Sequence, residues 1–368
     1  MKFNIATLPG DGIGPEVIEE GKKVLKEAEK IVTGFSLEFE KYDAGNGHYL
    51  KTGVTLPESV FQACKDSNAI FMGSIGLPKA GMPVVVDERG TEVTGHVMFK
   101  LRFDLNLFAG VRPIKLYPGV VSPLANVKDI DFVVLRENCE GLFASYGAGI
   151  ILYDDIAADT QIITRKGTEK IVDFGFQLAL KRNGRLSDGK KAVTCADKHN
   201  VFRSFAFFRK IYDEVAERYE GQVEKDYAII DALTLWMVQT PQNFDVIVTE
   251  NMFGDIISDL AASFVGGMGM SPSGDIGHNY GMFQPSHGTA PTIAGKGIAN
   301  PVATILSGKM MLDWLGDKHD NKAAKTAANL VEKAVSNTLG LGIKTFDIGG
   351  TADTSQFGDA VIAEMRKL

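Results

Sequence analysis

Short apolar runs, each closed by glycine, asparagine or a charged residue, alternate along this chain with stretches whose apolar residues recur every three or four positions. The runs FNIATL (3–8), AIFM (69–72), DFVVL (131–135), KAVTCA (191–196) and DVIVT (245–249) read as buried strands, because unbroken hydrophobicity over so few residues suits a sheet covered on both faces. Between them Val17, Ile18, Val24, Leu25 and Ala28 keep helical spacing. So do Val201, Phe202, Phe205, Phe208, Tyr212 and Val215, and later Leu330, Val331, Ala334 and Val335. Strands alternating with helices predict an α/β fold around a mainly parallel, twisted sheet. Two stretches break the rhythm. The glycine-dense FVGGMGMSPSGDIGHNYGM (264–282) reads as a domain crossing or a ligand loop. GAGIILYDDIAADTQIITR (147–165) alternates apolar and polar residues in parts and predicts an antiparallel arm suited to pairing with a partner chain.

At 368 residues the chain exceeds what one hydrophobic core usually serves, which implies two domains or one large α/β body. With 45% hydrophobic and 23% charged residues it reads as soluble and globular. No apolar run reaches the roughly 18 residues of a membrane span, and MKFNIATLPGDG has no basic segment leading into an apolar core, so a cytoplasmic protein is expected. Cys64, Cys139 and Cys195 are far apart and form no CxxC pair, which points to neither a disulfide framework nor a zinc site. The net charge of -7 argues against nucleic acid as the main partner, since phosphate binding needs a basic face. An anionic substrate would then require a local nest of arginines.

Arginines of that kind are present: Arg102 and Arg112 in LRFDLNLFAGVRP (101–113), and Arg136 at the head of RENCEGLFASYGAGI (136–150), directly after a buried strand. The planar guanidinium fork suits carboxylates, so three converging arginines would recognise a di- or tricarboxylic acid, whereas each alone is an ordinary surface ion pair. In NMFGDIISDL (251–260), Asp255 and Asp259 stand four residues apart and share one helix face. Their mutual repulsion is relieved either by solvent or by a divalent cation. Their place beyond the carboxyl end of a buried strand, where α/β proteins bind ligands, favours the cation. ADKHN (196–200) offers Lys198 as a base if neighbouring cations lower its pKa, while His199 reads as surface. The turn LPGDGIGPEV (8–17) has GxGxG spacing, not GxGxxG, and alone fits a tight βα turn as well as a dinucleotide site. SHGTAPTIAGKGIANP (286–301) is a glycine-rich loop whose backbone N–H groups can approach a phosphate.

Taken in order, LPGDGIGPE, LRFDLNLFAGVRP, RENxEG, DKxN, Asp231 upstream of NMFGDIISD, and HGTAPxxAGKGIANPxATILS resemble the β-decarboxylating dehydrogenases that act on isopropylmalate, isocitrate, homoisocitrate and tartrate or D-malate. The resemblance implies a homodimer with an isocitrate/isopropylmalate dehydrogenase-like two-domain fold. Residues 1–108 with 266–368 would form a large NAD-binding domain; residues 109–265 would form a small domain with the dimer interface and an arm at about 145–166. It also implies that Arg102, Arg112 and Arg136 hold substrate carboxylates and that Asp231, Asp255 and Asp259 hold Mg²⁺ or Mn²⁺. Lys198 and Asp231 would reach the partner subunit's site and serve there in catalysis. Ile75, Gln284, His287, Gly288, Thr289, Ala290, Thr292, Ile293 and Asn300 would line the cofactor site.

Several positions depart from the family pattern. The acid that protonates the enolate after CO₂ leaves is a tyrosine seven residues after the arginine of RE, and here that position is Phe143. Tyr146, three residues on, is the nearest substitute, and water is another. Thr292 and Ile293 stand where NAD users have an acid and NADP users a lysine followed by tyrosine; Phe346 and Gly350 stand where NADP-type isocitrate enzymes have tyrosine and arginine. With no cation for a 2′-phosphate, NAD is expected. Gln284 replaces a common glutamate. In TEVTGHVMFKLR (91–102), His96 and Met98 replace the serine and asparagine of isocitrate enzymes, and Met98 with Phe99 makes an apolar wall. The expected substrate is therefore a (2R)-malate-type acid of the isopropylmalate or tartrate/D-malate kind, with decarboxylation impaired. The rival expectation is a catalytically weak or inactive paralogue that acts as a binding or regulatory subunit.

Overall fold

The computed structural model describes residues 1–88, 90–125 and 127–368. The chain forms two compact units: Met1–Asn106, Tyr117–Val121 and Gly266–Leu368 make the first, Leu107–Leu116 and Ser122–Val265 the second. The segment Tyr117–Val121, inside the range expected for the small domain, packs with the first unit, where Tyr117 and Val120 are buried.

The first pass through unit 1 lays down β1 (Lys2–Gly10), α1 (Gly14–Ile31), β2 (Ser36–Lys41), α2 (Asn46–Thr52), α3 (Glu58–Asp66), β3 (Ala69–Ser74) and α4 (Thr94–Asp104). Unit 2 follows with β4 (Ala109–Lys115), β5 (Asp131–Glu137), β6 (Ile150–Leu152), β7 (Ile156–Ala158), α5 (Arg165–Lys181), β8 (Ala192–Asp197), α6 (Arg203–Ala216), β9 (Glu224–Ile229), α7 (Ile230–Gln239), β10 (Val246–Thr249) and α8 (Asn251–Ser263). The chain returns to unit 1 through β11 (Pro272–Ile276), β12 (Gly281–Pro285), α9 (Val302–Lys318), α10 (Lys322–Gly340) and α11 (Thr354–Met365).

In unit 1 the strands run in the order β2-β1-β3-β12-β11, all parallel except β11, which pairs antiparallel with β12. In unit 2 the order is β4-β5-β10-β8-β9, again parallel apart from the antiparallel β4–β5 pair. Every apolar run read as a strand is one. The spacing at Leu330–Val335 falls in α10, and that at Val17–Ala28 in α1 with all five residues buried. The core of unit 2 joins Phe132, Val134, Ile247, Ile257, Leu233 and Phe264, each contributing about 1.5–3 kcal/mol by leaving water.

Two expectations need correction. Val201 and Phe202 precede α6, in a turn where their amides donate to the Lys198 carbonyl at 3.1 and 3.2 Å, and both side chains are exposed. Residues 264–282 carry the crossing back into unit 1, between Val265 and Gly266, as one of the two readings expected, but they are not a ligand loop: they go on to hold β11 and the start of β12, whose close packing uses the small residues, since a Cβ at Gly274 would come within 3.1 Å of the Phe283 ring. The predicted arm is present as the antiparallel hairpin β6–β7, with Ile150 facing Ala158 and Leu152 facing Ile156. Among the described residues no helix is long and apolar enough to cross a membrane.

Candidate active site

Strand register builds the arginine pair. Arg112 on β4 lies opposite Val134 on β5, and directly opposed residues of an antiparallel pair point to the same face; Arg136, two residues beyond Val134, shares that face. Both guanidinium side chains are buried, at 8% and 3% exposure, which demands partners. Helix α8 supplies them. Its first turn is fixed by Glu250, whose carboxylate accepts from the Phe253 amide at 2.7 Å, a cap that orients the whole helix toward the strand ends. Arg136 Nε donates to Asn251 Oδ1 at 2.8 Å, and its Nη1 pairs with Asp255. Arg112 Nη1 donates to Ser258 Oγ at 2.7 Å and to Asp259 Oδ1 at 3.4 Å, with Nη2 3.6 Å from Asp255.

Asn251, Asp255 and Ser258–Asp259 recur at helical intervals, so one face of α8 presents two carboxylates, an amide and a hydroxyl to the two arginines. Close approach depends on Gly254: a Cβ there would stand 2.6 Å from Arg136 Cβ. Partial burial raises the Asp259 carboxyl above its usual pKa, the arginines Arg112 and Arg136 opposing and the charge of Asp255 adding to the rise.

Lys198 and Asp231 form a second, separate pairing. Lys198 follows β8 and its Nζ pairs with Asp231 in the first turn of α7, so the Asp231 carboxyl is held below its usual pKa by the lysine. Asp231 does not join Asp255 and Asp259: among the described residues no three Asp, Glu, His or Cys side chains of one chain cluster to hold a metal. The turn carrying Lys198 is braced by Asp197, which accepts from Arg209 Nε at 2.7 Å and from the His199 backbone amide at 3.0 Å, with the His199 ring 2.9 Å away. His199, given no role from the sequence, thus lies on the scaffold of this turn.

The loop after β5 is equally fixed. Glu137 is buried and accepts from the amides of Cys139 (2.9 Å) and Glu140 (2.6 Å); burial pushes its carboxyl up to about 7 against those hydrogen bonds. Asn251 Nδ2 donates to the Glu140 carbonyl at 2.9 Å, and Gly141, with φ +76°, bridges to Ile162 at the end of the arm. The chain then enters a 3₁₀ turn, Leu142–Ser145, that sets the Phe143 ring 5.0 Å from Arg136 Cζ. Tyr146 closes this turn, its amide donating to the Phe143 carbonyl at 3.1 Å.

In unit 1, Arg102 near the end of α4 donates from Nε to Asp275 at 3.0 Å, and Gln284 Nε2 donates to the same carboxylate at 3.2 Å. His96 Nε2 lies 3.9 Å from Asp87, Met98 is half-buried, and Phe99 stacks along the helix on Phe103. Residues 286–301 form a loop without helix or strand. His287 Nδ1 stands 2.9 Å from the Gly288 carbonyl, which puts the proton on Nδ1; Nε2 is buried with no partner, and burial lowers the imidazole pKa. Gly288 borders open space, the buried Thr289 accepts the Ile13 amide through its carbonyl, and Ala290 has φ +39°. Thr292 is exposed, Ile293 packs on Ile13, Val17 and Ala299, and Asn300 donates to Asp347 at 3.0 Å. Ile75 flanks the first glycine turn, within 3.0 Å of where a Gly10 Cβ would be.

An α/β protein with buried arginines set against paired aspartates at strand ends has the equipment of an enzyme for small carboxylic acids. Residues 4–361 match the isocitrate/isopropylmalate dehydrogenase family profile. The chain is 41% identical over 366 residues to the 3-isopropylmalate/3-methylmalate dehydrogenase of Methanocaldococcus jannaschii, covering 99% of each. It is 37% identical over 372 residues to a probable tartrate dehydrogenase/decarboxylase of Bacillus subtilis, covering 100% of this chain and 99% of the other. The crystal structure of isocitrate dehydrogenase from Methylococcus capsulatus superposes with a TM-score of 0.83 at 33% identity, covering 99% of both chains. The chain belongs to the isocitrate/isopropylmalate dehydrogenase family and is an oxidoreductase of that class.

Proposed function

We propose that this protein is a homodimeric, NAD-dependent dehydrogenase that uses Mg²⁺ or Mn²⁺ to oxidise the 2-hydroxyl of a (2R)-malate-type acid, of the tartrate/D-malate or 3-isopropylmalate kind. The observation that carries the reading is the buried Arg112–Arg136 pair facing Asp255 and Asp259. The two carboxylates on one helix face, one with its pKa raised, are hard oxygen donors that a divalent cation would relieve, and the partner subunit's Asp231 would complete the set. The orphaned, buried His287 Nε2 and the open space at Gly288 fit a cofactor on the 286–301 loop, and the absence of a base at Thr292, Ile293, Phe346 and Gly350 fits NAD better than its 2′-phosphorylated form.

When bound, the cation supplies Lewis-acid polarisation of the substrate oxygens and the nicotinamide supplies a two-electron acceptor. The chain's own residues do the rest. Arg102, Arg112 and Arg136 bind and orient the carboxylates by paired, charge-assisted hydrogen bonds. The partner subunit's Lys198 takes the hydroxyl proton. Met98 and His96 face the substituent at C3 and select among malate-type acids. Phe143 has no exchangeable proton to give C3 as CO₂ leaves, which slows decarboxylation by about 10²–10⁴ relative to a site with a positioned acid; Tyr146 or water supplies the residual protonation.

The test is NADH formation with Mn²⁺, NAD and a panel of D-malate, tartrate, 3-isopropylmalate and isocitrate, with CO₂ counted in parallel. NADH from a malate-type acid in excess of CO₂ supports the reading. Equal yields remove the impairment at Phe143, and binding of these acids with no NADH from any overturns catalysis in favour of a regulatory subunit.

A further inference from the structure

The family resemblance puts a tyrosine where this chain has Phe143, which lacks the hydroxyl yet keeps a ring, and the ring has a definite place. The Arg136 guanidinium carbon lies 5.0 Å from its centroid. The same arginine is 3% exposed, holds Asn251 Oδ1 through Nε at 2.8 Å, and has its stem against Gly254. The side chain is therefore held on three sides: stem against helix backbone, edge on an amide, and head beside an aromatic ring. A guanidinium is weakly hydrated and planar, so an aromatic neighbour stabilises it by cation–π attraction and limits its rotation, while its Nη1 end is turned to a carboxylate, that of Asp255.

We propose that Phe143 is the positioning residue for Arg136: its ring seats the guanidinium that receives a substrate carboxylate. The proposal rests on the reading of Arg136 as a carboxylate binder. It gives the ring at position 143 a task separate from proton donation. The seat depends on the face of the ring, which phenylalanine and tyrosine share; the acid depends on the hydroxyl, which only tyrosine has. This chain has kept the first and given up the second, so anion binding survives where proton donation does not. Phe143 acts through Arg136 and touches no reacting atom in this role.

The test compares Phe143→Leu, Phe143→Met and Phe143→Tyr with the unaltered dimer. D-malate and 3-isopropylmalate affinities are measured calorimetrically with Mn²⁺ and no NAD, and KM and kcat separately in turnover. The two aliphatic variants are expected to bind about five- to tenfold more weakly, with the loss in KM and not in kcat, while Phe143→Tyr keeps the affinity of the unaltered protein. Affinity unchanged in both aliphatic variants overturns the proposal alone. An equal loss in the tyrosine variant overturns it too, because the effect would then follow shape and not the ring face. Unaltered protein that binds neither acid overturns the reading of Arg136 and the proposal with it. Phe143→Met keeps most of the ring's volume, so a leucine variant that fails to fold leaves the comparison intact.

Discussion

Glu137 sits next to Arg136 in sequence but alternates to the other face of β5, where it organises the loop. Its carboxyl, pushed up to about 7 by burial, binds a proton in the folded chain over a range where the unfolded chain has lost it. The stability this contributes is fully present below the unfolded pKa of about 4.5 and is lost as pH rises through about 7, a change of roughly 3 kcal/mol. Urea midpoints measured across that window are expected to fall for the native chain. In Glu137→Gln that component of the slope should vanish, with a lower plateau at acid pH, because the amide nitrogen cannot accept the second backbone hydrogen bond. A slope that persists in the variant assigns the pH dependence elsewhere.

Helix α8 shows how a single element organises the site. Its cap, its buried first residue and its small fourth residue combine to press Asp255 against Arg136. Gly254→Ala tests that contact. Alanine favours a helix by about 1 kcal/mol over glycine, but here the added methyl meets Arg136 at 2.6 Å, and overpacking costs about 1–3 kcal/mol. The variant should melt no higher than the native chain and show a raised KM for the acid, read by thermal unfolding and steady-state kinetics. An unchanged KM would mean that Arg136 tolerates displacement.

Much of this was legible in the sequence at the level of elements. The buried strands announced themselves because a doubly covered parallel strand is apolar throughout, and Asp255 and Asp259 did so because helical spacing fixes their common face. The strands β2 and β9 did not: SLEFEK and EKDYAI are edge strands and carry charges, as edges do. Strands β11 and β12 were hidden by glycines that read as loop but serve tight packing under Phe283 and Trp314. Asn251 and Ser258 were in plain view on the aspartate face and were passed over, since neither is titratable; only the buried arginines make an amide and a hydroxyl necessary. The Phe143 contact could not be read at all, because it depends on the path of a loop.

At the scale of the molecule, each chain leaves apolar surface uncovered. All six residues of β6 and β7 are exposed, Ile151 at 74%, and Leu235, Trp236 and Val238 on α7 and Ile256 on α8 face solvent. Exposed apolar residues of this kind suit an interface, and under the proposed function a second copy of the chain would cover them. The separation of Lys198–Asp231 from Asp255–Asp259 within a chain then becomes a statement about inheritance as well as chemistry. If each site draws its lysine from one chain and its aspartate pair from the other, two dead chains can make a living dimer. Lys198→Ala and Asp255→Ala, each inactive alone, are expected to recover about a quarter of the native sites when co-expressed and randomly paired, because half the dimers are mixed and each mixed dimer has one intact site. Activity assays on the purified mixture read this directly, and a mixture as silent as its parents would mean that every chain works with its own lysine.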